Sequence, residues 1–249
     1  QSYTIAAEGS DIYNNSDGFN FAYETKTGDF DVVVRQKNIT HTSNWAKGGL
    51  MVRETLDAGS RNWNIVNDPV SSDGIAAPDG SGLGANAVEC NARNSLNGGT
   101  GGWGFNGAPV PAYPNAWVRL KRVGDLLSAY SSTNGTSWTL LATNTPASVG
   151  DMTALPAIVY VGICTTAHNN DASLYSDPLL YVNTVDYDNY NSSYVAAPSA
   201  PLLNASITGG NIKVTWTPNT GHLESSPALS GPGMNWQPVS GGTGGTVTV

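Results

Sequence analysis

Residues 117–130 read Trp117-Val-Arg-Leu-Lys-Arg-Val-Gly-Asp-Leu-Leu-Ser-Ala-Tyr130. From Trp117 to Val123 apolar and basic residues alternate, the two-residue period of a strand with one face buried. Gly124-Asp125 breaks the pattern with a dipeptide suited to a two-residue hairpin turn. Leu126–Tyr130 then resumes the strand texture. The stretch is an antiparallel hairpin, and the chain around it repeats the same grammar.

Working outward, Phe30–Arg35 (FDVVVR), Leu50–Arg53 and Trp63–Val66 carry strand signals, as does Trp138–Ala142 after Asn134-Gly135, read as a second two-residue turn. Ile158–Cys164 (IVYVGIC) is continuous enough to be a fully buried central strand, and Leu179–Val185 closes the series. Helical periodicity is nearly absent. Between Asp68 and Pro114 the chain is rich in Gly, Ala, Asn and Pro. It reads as long loops around one strand near Ala85–Glu89, and loops of that length are usually functional.

Near residue 190 the texture changes. Tyr194-Val-Ala-Ala-Pro198-Ser-Ala-Pro201 reads as a linker. The expected organisation is a β-sandwich over 1–190, a linker over 191–202 and a small β-module over 203–249. Short strands are expected in that module at Leu203–Thr208, Ile212–Trp216, His222–Ser225, Trp236–Val239 and Thr246–Val249. An immunoglobulin-like sandwich ordinarily takes about 100 residues and seven strands, so the module reads as incomplete.

The 249 residues carry a net charge of −8, and only 12% of them are charged. That is about half the usual share. A surface built from neutral amides and hydroxyls is expected of an extracellular β-protein. The eleven basic residues are scattered, which argues against nucleic acid as a partner. No apolar run reaches the length of a membrane span. The start at Gln1 reads as a processed, secreted chain.

Five blocks together resemble a known family: Gly28–Arg35, Trp45–Glu54, Trp117–Arg122, Asn134–Trp138 and Val161–His168. They are similar to secreted bacterial β-sandwich domains related to the concanavalin-A-like lectin/glucanase and laminin-G folds. The resemblance spans roughly residues 3–186 and implies an all-β, two-sheet jelly roll. The tail resembles an immunoglobulin- or fibronectin-like module. Sandwiches of this family usually carry one strand more before Tyr3–Ala6, and such tail modules one more after Thr246–Val249. The fold hosts lectins, hydrolases and adhesion modules, so it fixes no function.

The residues themselves argue against catalysis. Glucanases on this fold set acid and nucleophile on one strand about 5 Å apart. The five glutamates, Glu8, Glu24, Glu54, Glu89 and Glu224, lack that spacing. His41, His168 and His222 have no Gly-x-Ser-x-Gly elbow to serve, and His168 reads as bracing a turn. Hard oxygen ligands for a structural calcium exist at Asp171 and at Asp186 and Asp188, with Asp11, Asn15 and Asp17 as a further group. Turn formation is the plainer role for such residues, so no cofactor is required.

Glycan contact would fall to aromatics in the glycine-rich loops: Trp103, Phe105 and Tyr113. Sequons at Asn14, Asn38, Asn134, Asn191 and Asn204 mark surface turns if the source glycosylates asparagine. Cys90 and Cys164 are either two buried thiols or a bridge. A bridge would close a loop of roughly 75 residues, worth about 4 kcal/mol.

Two functions follow from these features. The first is a non-enzymatic extracellular structural or adhesive protein. Its copies would assemble head to tail by exchanging terminal strands, with Tyr3 and Ile5 at one end and Val247 and Val249 at the other. The second is a carbohydrate-binding module of a secreted polysaccharide-handling system. Partners are then further copies of the chain, or glycans.

Overall fold

The computed structural model describes residues 1–69, 74–83, 87–144, 154–169, 181–193, 202–208, 211–217, 222–225, 237–243 and 246–248. Contacts divide the chain into two compact units, Gln1–Val195 and Ala196–Val249. All regular structure among the described residues is β.

The first unit is a sandwich of two six-stranded antiparallel sheets. In the first sheet the spatial order is β1 (Ser2–Ala7), β14 (Asn183–Ser193), β5 (Phe30–Gln36), β10 (Ala116–Val123), β11 (Leu126–Ser132) and β12 (Thr139–Asn144). In the second it is β4 (Asn20–Thr27), β13 (Ile158–Thr166), β6 (Lys47–Arg53), β7 (Asn62–Asn67), β8 (Ala87–Arg93) and β9 (Thr100–Pro109). A short hairpin, β2 (Asp11–Tyr13) and β3 (Ser16–Gly18), belongs to neither sheet.

Alternation along each strand decides what is buried. From the first sheet Phe30, Val32, Val34, Val118, Leu120, Leu127, Val185 and Tyr187 point inward. They meet Leu50, Val52, Trp63, Ile65, Val88, Cys90, Val161 and Ile163 of the second. The hairpin turn at Gly124-Asp125 is as expected: Val123 pairs with Leu126, and Gly124 takes the positive φ of 58° that such turns require. Arg122 falls on the inward side at the sandwich end. There its guanidinium donates to the carbonyls of Gly124, Leu155 and Pro156.

Asn134-Gly135 is not a two-residue turn. Ser131 pairs with Thr139, leaving a seven-residue loop between them. Side chains organise that loop: Asn134 Oδ1 accepts from the backbone N–H of Thr136 and Ser137, and Ser132 Oγ accepts from those of Asn134 and Gly135.

The terminal strands expected to be lent to a neighbour are both paired within the chain. β1 pairs with β14 from Ser2–Asp188 to Ala7–Asn183, and Tyr3 and Ile5 pack against the core. In the second unit β19 (Thr246–Thr248) pairs with β16 (Asn211–Thr217), with Val247 opposite Val214. Val249 lies outside the described residues. The structure gives no support to assembly by strand exchange, because each candidate strand has a backbone partner within the chain, β14 for β1 and β16 for β19. β15 (Leu202–Thr208) completes that three-stranded sheet beside β16, and β17 (His222–Ser225) pairs with β18 (Gln237–Thr243). β14 continues through Ser193, three residues into the stretch read as a linker.

Cys90 and Cys164 are free, buried thiols. Cys90 points into the inter-sheet core, whereas Cys164 belongs to a separate cluster with Ile12, Met51 and Val66 on the other face of the same sheet. Strands β6 and β7 lie between them, so no bridge can form.

Candidate functional site

The outer face of the second sheet is where chemistry collects. Residues of the parity opposite to the core point here: Lys47, Met51 and Arg53 from β6, Val66 from β7, Glu89, Asn91 and Arg93 from β8, and Cys164 from β13. The β2–β3 hairpin lies across this face and divides it. Ile12 packs with Met51, Val66 and Cys164 in the middle. At one end Asp17 is fully buried between Arg53 and Arg93. The other end is open, as a cavity of about 450 Å³ lined by Asp11, Tyr13, Trp45, Lys47, Glu89, Asn91, Gly102 and His168.

Lys47 organises the cavity. Its side chain is only 3% exposed. Nζ donates to Asp11 Oδ1 at 2.9 Å and to the Trp45 carbonyl at 2.7 Å, and it lies 3.9 Å from Glu89 Oε2. Burial opposes its charge, yet Glu89, Asp11 and Asp68 together hold its pKa above the ordinary lysine value. Asp11 is the mirror case. Burial pushes its pKa up, but hydrogen bonding to His168 and the charge of Lys47 outweigh that and hold it low. Asp68, fully buried just after β7, is pushed well above the usual carboxylate range by burial first and by the charge of Glu89 second.

His168 follows β13 with a positive φ of 55°. Nε2 lies 3.3 Å from Asp11 Oδ2, and Nδ1 lies 3.3 Å from Ser43 Oγ. The ring thereby ties the hairpin to the 40–45 loop at the cavity wall. Trp45 and Tyr13, 44% and 43% exposed, present their rings at the same cavity. Asn91 Nδ2 donates to Glu89 Oε2 at 2.7 Å.

The residues singled out in the sequence fall elsewhere in large part. Trp103 and Phe105 were expected in a loop, but β9 is a strand at the edge of the second sheet, and Gly102 on that strand lines the cavity. The two aromatic side chains lie outside the described residues. Tyr113 is partly buried. It packs against the inter-sheet core, its hydroxyl accepting from Gln36 Nε2 at 3.3 Å and donating to the Asp68 carbonyl at 3.5 Å.

Asp186 and Asp188 lie on the outer face of the first sheet and spend their oxygens on donors of the chain. Asp186 accepts from Thr4 and Asn38, each at 2.6 Å, and Asp188 takes a two-pronged contact from Arg35. Asp171 lies outside the described residues, and among those described no group of three or more His, Cys, Asp and Glu is placed to hold a metal. The sequon residues Asn14, Asn38, Asn134 and Asn191 are exposed. Asn204 lies on β15, and its side chain is outside the description.

Sequence reading missed Lys47, Glu89, Asn91, Tyr13 and Trp45. One signal was present. In Trp45-Ala-Lys-Gly-Gly-Leu-Met-Val-Arg53 a single lysine sits inside a run otherwise fit for burial, and a buried ammonium demands carboxylate partners.

No protein-family model matches the chain, and no curated protein matches it. Solved structures resemble it at low identity. A functionally unknown protein from Saccharomyces cerevisiae is 15% identical, with a TM-score of 0.46, over 77% of this chain and 87% of that one. A GH43 protein from Bacillus licheniformis, studied as a mutant, is 12% identical with a TM-score of 0.48, over 78% of this chain and 33% of its own length. A lectin from Bauhinia forficata in complex with GalNAc is 8% identical with a TM-score of 0.36, over 78% of this chain and 99% of that one. Likeness at this level says nothing of activity.

Proposed function

We propose that the chain is a non-catalytic carbohydrate-binding module, with the cavity between the β2–β3 hairpin and the second sheet as its sugar site. The observation that carries this reading is the pairing of two half-exposed aromatic rings, Trp45 and Tyr13, with oxygen acceptors on Asp11 and Glu89 around one cavity of about 450 Å³. Sugar rings offer an apolar C–H face and a rim of hydroxyl donors. A site for them needs a flat apolar wall and fixed acceptors. Here the acceptors are fixed in advance by Lys47, Asn91 and His168, so little ordering is left to the moment of binding.

The remaining parts of the reading follow from the same chemistry. The setting is extracellular, in keeping with a surface poor in charge. The first unit is a jelly roll, and the second an immunoglobulin-like module. No metal is invoked, because Lys47 already sits between the two carboxylates that line the cavity.

The test is retention on a panel of immobilised polysaccharides, followed by calorimetry with oligosaccharides of any that retain it. Trp45→Ala and Tyr13→Ala should each weaken binding by about tenfold while leaving the fold intact. Retention unchanged in both variants removes the cavity from the site, and no retention on any glycan ends the reading.

A further inference from the structure

Among the described residues that line the cavity, Lys47 and His168 are the basic ones, and Lys47 is not available to a ligand. Its ammonium is committed to Asp11, to the Trp45 carbonyl and to Glu89, and 3% of its side chain is exposed. An incoming carboxylate or sulfate would find no free positive charge in Lys47. The acidic groups are more open: the Asp11 side chain is 20% exposed and that of Glu89 14%. Behind them Asp68 is fully buried, and neither of its oxygens accepts a hydrogen bond from any described donor. Its coupling to Lys47, Glu89 and Asp11 places it in the same cluster. Asp11 and Glu89 thus outnumber the one ammonium between them, and the half-exposed Trp45 and Tyr13 line the same cavity.

We propose that this cavity selects a sugar bearing a free amine, as in glucosamine oligomers, over neutral, N-acetylated or acidic sugars. The inference rests on the glycan-binding reading and sharpens it. An ammonium on the sugar would donate to Asp11 and Glu89, and it would meet the negative faces of Trp45 and Tyr13. An N-acetyl group brings a neutral amide and a methyl to the same place and supplies no charge to balance the second carboxylate. A uronate brings a like charge and is repelled.

Three oligosaccharide sets of matched length decide the matter: glucosamine oligomers, their N-acetylated forms, and oligogalacturonate, each titrated by calorimetry at slightly acidic pH. The expected result is about tenfold tighter binding of the amine form than the acetylated one. That margin should shrink as salt is added and disappear in Glu89→Gln. Equal affinity for amine and acetylated forms, or preference for the uronate, overturns the proposal while leaving the glycan site standing. Absence of binding by all three, together with no retention on any polysaccharide, removes the glycan reading and this inference with it. Should Glu89→Gln fail to fold, the ligand comparison on the native chain decides alone.

Discussion

Asp17 and Arg93, 76 residues apart in the chain, form a fully buried two-pronged ion pair, with Nη1 at 2.7 Å from Oδ2 and Nη2 at 2.5 Å from Oδ1. Arg53 Nη1 approaches the same carboxylate at 3.2 Å, and Asn62 Nδ2 donates to it at 3.2 Å. Arg93 also donates to the carbonyls of Tyr13 and Asn14. The hairpin is thereby nailed to the sheet at its β3 end, and the cavity at the other end depends on it. Removing one partner of a buried pair leaves an uncompensated charge. Asp17→Ala should therefore cost about 3–5 kcal/mol in urea unfolding, and a loss below about 1 kcal/mol would show that the hairpin is not held this way.

The two thiols offer a simple chemical check. Burial pushes both Cys90 and Cys164 up to about 12, so neither is a thiolate at neutral pH. The native chain should leave a thiol reagent such as DTNB unreacted over minutes. Two thiols per chain should titrate once denaturant is added, with no reductant needed. A disulfide would instead give none.

Gly135 takes a φ of 72° inside the β11–β12 loop, and a Cβ there would come within 2.9 Å of three ring carbons of Trp117. Backbone strain and overlap add. Gly135→Ala should cost about 1–3 kcal/mol, read as a lowered midpoint in chemical denaturation. A stability equal to the parent would mean that the loop repacks freely around Trp117.

What was legible in the sequence, and what was not, divides along the range of the interactions. β5, β10 and β11 are written in local alternation, and β6, β7 and β13 in short runs fit for burial on both faces. β4 escaped because its pattern runs the other way. Phe21 and Tyr23 face outward, where they stack at 5.3 Å, while Glu24 on the inner parity accepts from the Tyr190 hydroxyl at the sheet's edge. β9 reads as a loop because it is rich in glycine, although an edge strand needs only one partner. The β2–β3 hairpin has three residues per strand and little apolar content. What fixes it is Asp17 with Arg53 and Arg93, and Asp11 with Lys47 and His168, all far apart in sequence. The cavity is made of these same long-range pairs, so local sequence points to Trp103, Phe105 and Tyr113 in the glycine-rich stretch and leaves Trp45 and Tyr13 unmarked.

Asp68 gives a pH dependence whose sign is unusual for a carboxylate. Its folded pKa is raised, by burial first and Glu89 second, whereas in the unfolded chain it ionises near about pH 4. Above that pH the unfolded state holds fewer protons at this site than the folded one, so the group's contribution to stability falls as pH rises toward its folded pKa. Asp11 works in the opposite sense. Its lowered pKa contributes stability above about pH 4 that is lost as acid protonates it in the fold. Asp68→Asn keeps the shape and removes the first effect alone. The variant should be more stable than the parent at pH 7, with the gap closing toward about pH 4, where both forms are neutral at this position. Urea midpoints measured across that range check it. A variant less stable than its parent at pH 7 would mean that the ionised carboxylate is a needed partner of Lys47, whose own raised pKa owes something to it.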